Sequence, residues 1–333
     1  MKLRRAFVFF LALTLTVGLF GCAMQSQPSD TTELPTEPTE KLEDKQMQHI
    51  LIIGNSHTID SMQLLYEVFS AHQPDKQFVF GYLYYDGCAV TKHVEFYEGK
   101  QEVYLYGCNT DGNWERKKPV RMEVALSDQP WDIVFIQPNR TDILDETGVL
   151  EARRKLEAAI DTYVKNPHII GYHQTWTSPD DPQLWSDDWH VRKPPEGYLE
   201  KINKAFGTDV KTRYTTYNNL HQRILTTDDT YKKHVITGAG VISAVLVLDV
   251  PQVDIFRDYT HLNDFGRLLA AYSFYAQYMG EEITEVKVTT VSQKLRYDYY
   301  KPFGDLEITP EMQKIIMDAA NMGLADPYGV PGK

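Results

Sequence analysis

Four consecutive apolar residues, Ile50, Leu51, Ile52 and Ile53, stop abruptly at Gly54-Asn55-Ser56. Beyond the stop, Ile59, Met62, Leu65, Tyr66 and Phe69 recur at helical spacing. An apolar run without polar alternation suits a strand buried on both faces, hence a parallel strand covered by helices. The pattern predicts a strand over residues 50–53, a tight turn, and a helix over residues 59–71. Further apolar runs predict strands at residues 78–83, 133–136, 168–172 and 234–236. Amphipathic stretches predict helices at residues 148–164 and 262–278. This alternation defines an α/β fold, a three-layer α/β/α sandwich around a parallel, flavodoxin-like sheet of about five strands.

Two stretches interrupt the alternation. Residues 86–127 contain strand-like pieces such as residues 102–106 and predict a hairpin excursion. Residues 175–207 are rich in Trp, Asp and Pro and predict a long loop over one face. The folded domain is expected over residues 49–285. Residues 286–333 form a C-terminal extension, with an extra strand and a short helix near residues 309–323.

The amino terminus reads differently. Lys2, Arg4 and Arg5 precede an apolar stretch over residues 6–20, the pattern of an export signal over residues 1–21. Leu19-Phe20-Gly21-Cys22 resembles the bacterial lipobox. That resemblance implies cleavage before Cys22 and lipids on its sulfur; a plain cleaved signal or an uncleaved anchor are the alternatives. Residues 25–43 are rich in Ser, Thr, Pro and Glu and lack apolar periodicity, so residues 22–48 are expected to be the lipidated cysteine and a disordered tether. The expectation is an exported lipoprotein anchored to the membrane of a bacterial cell envelope through Cys22. That compartment permits a disulfide between Cys88 and Cys108, and two reduced thiols are the equal alternative. A formal charge of −12 argues against nucleic acid as a partner, because phosphate binding needs clustered Lys and Arg.

Ser56 follows a strand at a sharp turn, where a hydroxyl is exposed and backbone N–H groups converge. It is a candidate nucleophile, and the plainer reading is a helix cap. A serine hydroxyl needs an adjacent base. Asp258-Tyr259-Thr260-His261 supplies one: His261 as base, with Asp258 to orient it. His93 and His173 are candidate substrate-binding residues or buried structural histidines. Trp176, Trp185 and Trp189 offer faces for sugar rings or core packing. Arg140 meets a substrate carboxylate or sits at the surface. The spacing of His and Asp matches no zinc signature, so neither metal nor cofactor is expected.

Together these segments resemble the SGNH (GDSL-type) hydrolase superfamily, and within it a bacterial lipoprotein subgroup of uncharacterised function. Gly54-Asn55-Ser56 is similar to its first block, with Asn55 where aspartate is commoner. Tyr85-Asp86-Gly87-Cys88 is similar to the second and Asp258-Tyr259-Thr260-His261 to the last. Trp131 to Gln137 resembles the strand entering the third block. The resemblance implies Ser56, His261 and Asp258 as a catalytic set and the Gly87 N–H as an oxyanion donor. The third-block asparagine has no clean equivalent; Gln137 and Asn139 are the candidates, with Gln137 favoured as nearer the strand end. The implied function is a serine esterase acting through an acyl-enzyme on a small-molecule or glycan ester, by analogy a carbohydrate deacetylase. The alternatives are a non-catalytic glycan-binding surface lipoprotein and a lipid-directed esterase.

Overall fold

The computed structural model describes residues 45–186, 194–227, 234–292 and 305–329. Cys22, the export signal, nearly all of the predicted tether and Trp189 lie outside the described residues.

In chain order the elements are β1 (Met47–Gly54), α1 (Ser56–Met62), α2 (Leu65–His72), β2 (Gln77–Tyr84), α3 (Val90–Glu98), β3 (Tyr104–Asn109) and β4 (Trp114–Val120). There follow α4 (Met122–Asp128), β5 (Ile133–Ile136), α5 (Glu146–Tyr163), β6 (Ile169–Gln174), α6 (Tyr198–Phe206), α7 (Val210–Thr226), β7 (Val235–Thr237) and α8 (Ala239–Leu246). The last are α9 (Gln252–Ile255), α10 (Asp264–Met279), β8 (Thr290–Val291), β9 (Leu306–Glu307) and α11 (Pro310–Ala325).

The main sheet has seven strands in the order β4-β3-β2-β1-β5-β6-β7. β2, β1, β5, β6 and β7 run parallel, in the order of a flavodoxin-like sheet. β3 and β4 are the predicted hairpin. They extend the sheet as an antiparallel pair, with Phe80 opposite Asn109, which raises the strand number above the expected five. The outermost strand, β4, is mostly exposed and reads Trp-Glu-Arg-Lys-Lys-Pro-Val.

Each central strand buries both faces. On β1, Ile50 and Ile52 join a core with α1, α2, α8, α10 and α11, while Leu51 and Ile53 face a core with α3, α4 and α5. These are the two outer layers of the sandwich. All four residues are fully buried, each contributing about 1.5–3 kcal/mol of transfer free energy.

Two expectations need correction. The single helix over residues 59–71 is two, broken at Gln63 and Leu64. Met62, Leu64 and Leu65 are all buried, and no one face of a continuous helix holds all three. The long loop over residues 175–207 contains a 3-10 turn, Pro182–Trp185, and α6. The tail helix, α11, forms within two residues of its predicted bounds and lays Ile316, Ala319 and Ala320 into the core against α8 and α10, with Thr309 as its cap.

Candidate functional site

The carboxyl ends of β1, β2, β5 and β6 release the chain at one edge of the sheet, where open α/β folds bind ligands. Gly54 closes β1. A Cβ there would lie 2.4 Å from Gln137 Oε1 and 2.3 Å from Thr58 Oγ1, so only glycine lets the Gln137 side chain cross the turn. Asn55 then caps α1, its side chain accepting from His57 N. Ser56 is the first helical residue, half-buried.

A cavity of about 220 Å³ opens there, and Ser56, Gly87, Asn139, Arg140 and His261 line it. A larger cavity, about 580 Å³, lies between the α8–α9 segment and α11; acidic and apolar side chains line it, with no serine, cysteine or histidine among the described residues.

His261 and Asp258 are a built pair. Asp258 Oδ2 lies 2.8 Å from His261 Nδ1, and Oδ1 accepts from the backbone N–H groups of Thr260 and His261, each at 2.8 Å. Burial pushes the Asp258 carboxyl up, but these hydrogen bonds and the nearby His261 and Arg257 charges prevail and hold it below the usual range. Nδ1 is thereby committed to Asp258, leaving Nε2 for other partners. No hydrogen bond directly joins His261 to Ser56 among the described residues.

The oxyanion candidates separate. Gly87 has φ +58° and is exposed at the cavity, so its unusual backbone is one that glycine adopts freely. Asn139 lines the same cavity and donates through Nδ2 to the Gly87 carbonyl at 2.9 Å. Gln137, favoured from the sequence, is 1% exposed and does not reach the cavity. Its Oε1 accepts from Asn55 N at 3.0 Å and Thr58 Oγ1 at 2.9 Å. Gln137 is therefore structural, and Asn139 is the amide at the site.

The substrate-binding candidates are not brought to the cavity. His93 is fully buried on α3, stacked on Tyr104 with Nδ1 3.0 Å from its hydroxyl. His173 packs against Phe274 beside a separate small void. Burial holds both imidazoles near pKa 3. Trp176 is 1% exposed, with Nε1 bonded to the Thr260 carbonyl at 2.9 Å, and stacks on His57. The aromatic surface at the cavity comes from Tyr198 and Tyr259, with Trp185 packed against both. Cys88 and Cys108 are free and buried.

Several site residues escaped the sequence reading. His57 lies between Thr175 Oγ1 and Thr260 Oγ1, 2.9 Å from each. Thr260 Oγ1 accepts from Arg140 Nη2 at 2.6 Å, which leaves its own hydrogen for His57 Nε2. Burial first, then the Arg140 and His261 charges, keep His57 well below the usual histidine range, so it is neutral. Asp60 on α1 accepts from Arg257 Nη1 and Arg267 Nε, each at 2.9 Å, and from Leu262 N at 3.0 Å. It therefore ties the loop bearing Asp258 and His261 to the helix bearing Ser56. The one sequence clue was an acid set between Ile59 and Met62 on a helix with a buried face.

The fold and cavity define the class: an α/β/α sandwich with a serine and an aspartate-oriented histidine at the carboxyl edge of its sheet. The chain belongs to the family described as "Domain of unknown function (DUF4886)", whose model matches residues 49–296. It is similar to the crystal structure of a DUF4886 family protein from Bacteroides uniformis ATCC 8492, with 20% identity and a TM-score of 0.64, covering 85% of this chain and 97% of that one. A comparison with curated proteins finds no match.

Proposed function

We propose that the chain is a serine esterase of the SGNH type, exported and tethered through Cys22, that deacylates a carbohydrate or related small ester. The observation that carries this reading is one cavity lined by Ser56, the Asp258-bonded His261, Gly87 and the Asn139 amide. Ser56 Oγ would attack the ester carbonyl while His261 Nε2 takes its proton. The carbonyl electrons move onto oxygen, and the Gly87 and Ser56 N–H groups with Asn139 Nδ2 stabilise that charge. Collapse of this intermediate breaks the bond to the alcohol, which leaves with the proton from His261. Water, deprotonated by His261, then attacks the acyl-serine and releases the acid.

The test uses the full chain made in a bacterial host. Membrane and cytosolic fractions are assayed for acetate release from a panel of acetylated mono- and oligosaccharides. Wild type is expected to act in the membrane fraction, and Ser56→Ala to lose at least about 10³-fold in kcat. Equal rates for the two proteins, or none on any ester, would sink the esterase reading.

A second reading, a non-catalytic glycan binder, draws on the lack of a direct Ser56–His261 hydrogen bond. It predicts saccharide binding without hydrolysis in wild type and Ser56→Ala alike.

A further inference from the structure

Arg140 is 7% exposed, follows β5, and lines the Ser56 cavity. Its hydrogen-bond partners are three neutral hydroxyls. Nη2 donates to Thr260 Oγ1 at 2.6 Å and to Tyr198 OH at 3.3 Å, and Nη1 donates to Ser178 Oγ. No carboxylate pairs with it among the described residues. Of the nearby guanidiniums, the half-buried Arg257 and the buried Arg267 both pair with Asp60, whereas the buried Arg213, like Arg140, meets neutral oxygens, those of the Gly207 and Pro179 carbonyls and the Asn203 amide. A buried charge without a counter-charge is unfavourable, and hydroxyl dipoles offset only part of that penalty. The three hydroxyls also leave some of the guanidinium's N–H groups unused, and a carboxylate or sulfate would be met by charge-assisted bonds stronger than those to neutral oxygen.

The surroundings limit the ligand's charge. Lys201 lines the cavity from exposed α6, and the exposed Asp86 lines it from the turn after β2. These two rim residues are of opposite formal charge. His57, which shares the Thr260 hydroxyl with Arg140, is neutral. Among the described residues, Arg140 is therefore the buried positive charge that faces this small cavity without a carboxylate partner. We propose that this cavity binds a monoanionic oxyanion group of its ligand, a carboxylate or sulfate, against Arg140. The proposal rests on the esterase reading only where it names that ligand the substrate; the anion site itself does not need Ser56 to react.

The experiment therefore has a hydrolytic arm and a binding arm. The hydrolytic probes are matched O-acetylated methyl glycosides: the neutral glucoside, the glucuronide, the glucoside 6-sulfate and the dianionic 6-phosphate. Wild type is expected to favour the glucuronide or the sulfate over the neutral ester by about tenfold or more in kcat/KM. In Arg140→Gln that ratio is expected to fall to near unity, with Arg140→Lys between, because lysine keeps the charge and loses the planar donors. The binding arm titrates unacetylated methyl glucuronide and glucoside 6-sulfate into Ser56→Ala and Ser56→Ala/Arg140→Gln by calorimetry, after circular dichroism has checked folding. Arg140-dependent heat is expected.

Arg140-dependent binding with no hydrolysis of any ester would end the esterase reading and leave the anion site standing. Hydrolysis of neutral esters without an anionic preference in wild type, and without binding of either anion, would overturn the anion site. So would an equal loss on charged and neutral probes in Arg140→Gln, or a preference for the phosphate over both monoanions. If Arg140→Gln does not fold, discrimination and binding by wild type and Arg140→Lys decide whether the anion site stands.

Discussion

The Gln137 amide turns inward and holds the β1 turn, whereas the Asn139 amide, two residues further on, turns outward to the cavity and Gly87. The difference gives opposite expectations for the two alanine variants. Asn139→Ala is expected to lower kcat on an ester substrate by about 10²–10³ while leaving the melting temperature nearly unchanged, because one oxyanion donor is lost. Gln137→Ala is expected to destabilise the fold by about 1–3 kcal/mol, because the Asn55 N–H and the Thr58 hydroxyl lose a buried acceptor. Paired kinetics and urea unfolding separate them; wild-type kcat in Asn139→Ala would remove Asn139 from the mechanism. The sequence could not resolve this pair, since register along a strand end says which residue is nearer the edge but not which way an amide points. The Asp258–His261 pair and the placing of Ser56 at the strand-end turn were legible because each is a local spacing. His57 was not, because it depends on Thr175 and Thr260, remote in sequence and adjacent only after folding.

Strands were read to within a few residues because continuous apolar runs such as residues 133–136 have few other uses. Helices α3, α4, α6, α7 and α9 were missed: all but α7 are short, and the 17-residue α7 is rich in Thr, Asn and Tyr, so tertiary packing rather than periodicity fixes them. Helix α8 is apolar nearly throughout, hence buried all round and without a readable stripe. One contact between elements decides the site's integrity. Asp60 is fixed on α1, and its carboxylate holds Arg257 and Leu262 on the loop bearing Asp258 and His261, and Arg267 on α10. Removing one partner of such a buried ionic cluster typically costs about 3–5 kcal/mol. Asp60→Asn is expected to lose stability in that range and, where folded, to lower kcat more than it changes KM, since it shifts the histidine relative to the serine. Denaturant melts with steady-state kinetics check this; an unchanged melt would show that the cluster does not couple the two elements.

The molecule as a whole carries a set of buried neutral histidines. Burial holds His93, His173 and His221 near pKa 3 and His57 well below its usual value of 6.5. In the unfolded chain these groups take up protons below about pH 6.5, and in the folded chain they do not. Protons therefore favour unfolding, by about 1.4 kcal/mol per pH unit per histidine. Two half-buried acids oppose this: desolvation raises Asp142 to about 6 and Glu67 to about 7, so the folded state binds those protons first. Four histidines against two acids leave a net loss of stability as pH falls from about 6 to 4.5. For Asp60 and Asp258, whose folded pKa values are lowered, the stabilisation is present above the unfolded value of 3.8 and is lost as pH falls through the folded values, so unfolding steepens there. Urea midpoints between about pH 7.5 and 3.5 should trace this descent; a flat profile down to about pH 4.5 would contradict it. The sheet's outer margin has a separate consequence. On β4, Arg116, Lys117, Lys118 and Pro119 stand exposed, and at the opposite end β7 is only three residues long. A foreign strand meets like charges and a missing backbone donor at one side and too short a template at the other. Among the described residues, both borders of the sheet therefore discourage strand-by-strand stacking of copies, even at high concentration.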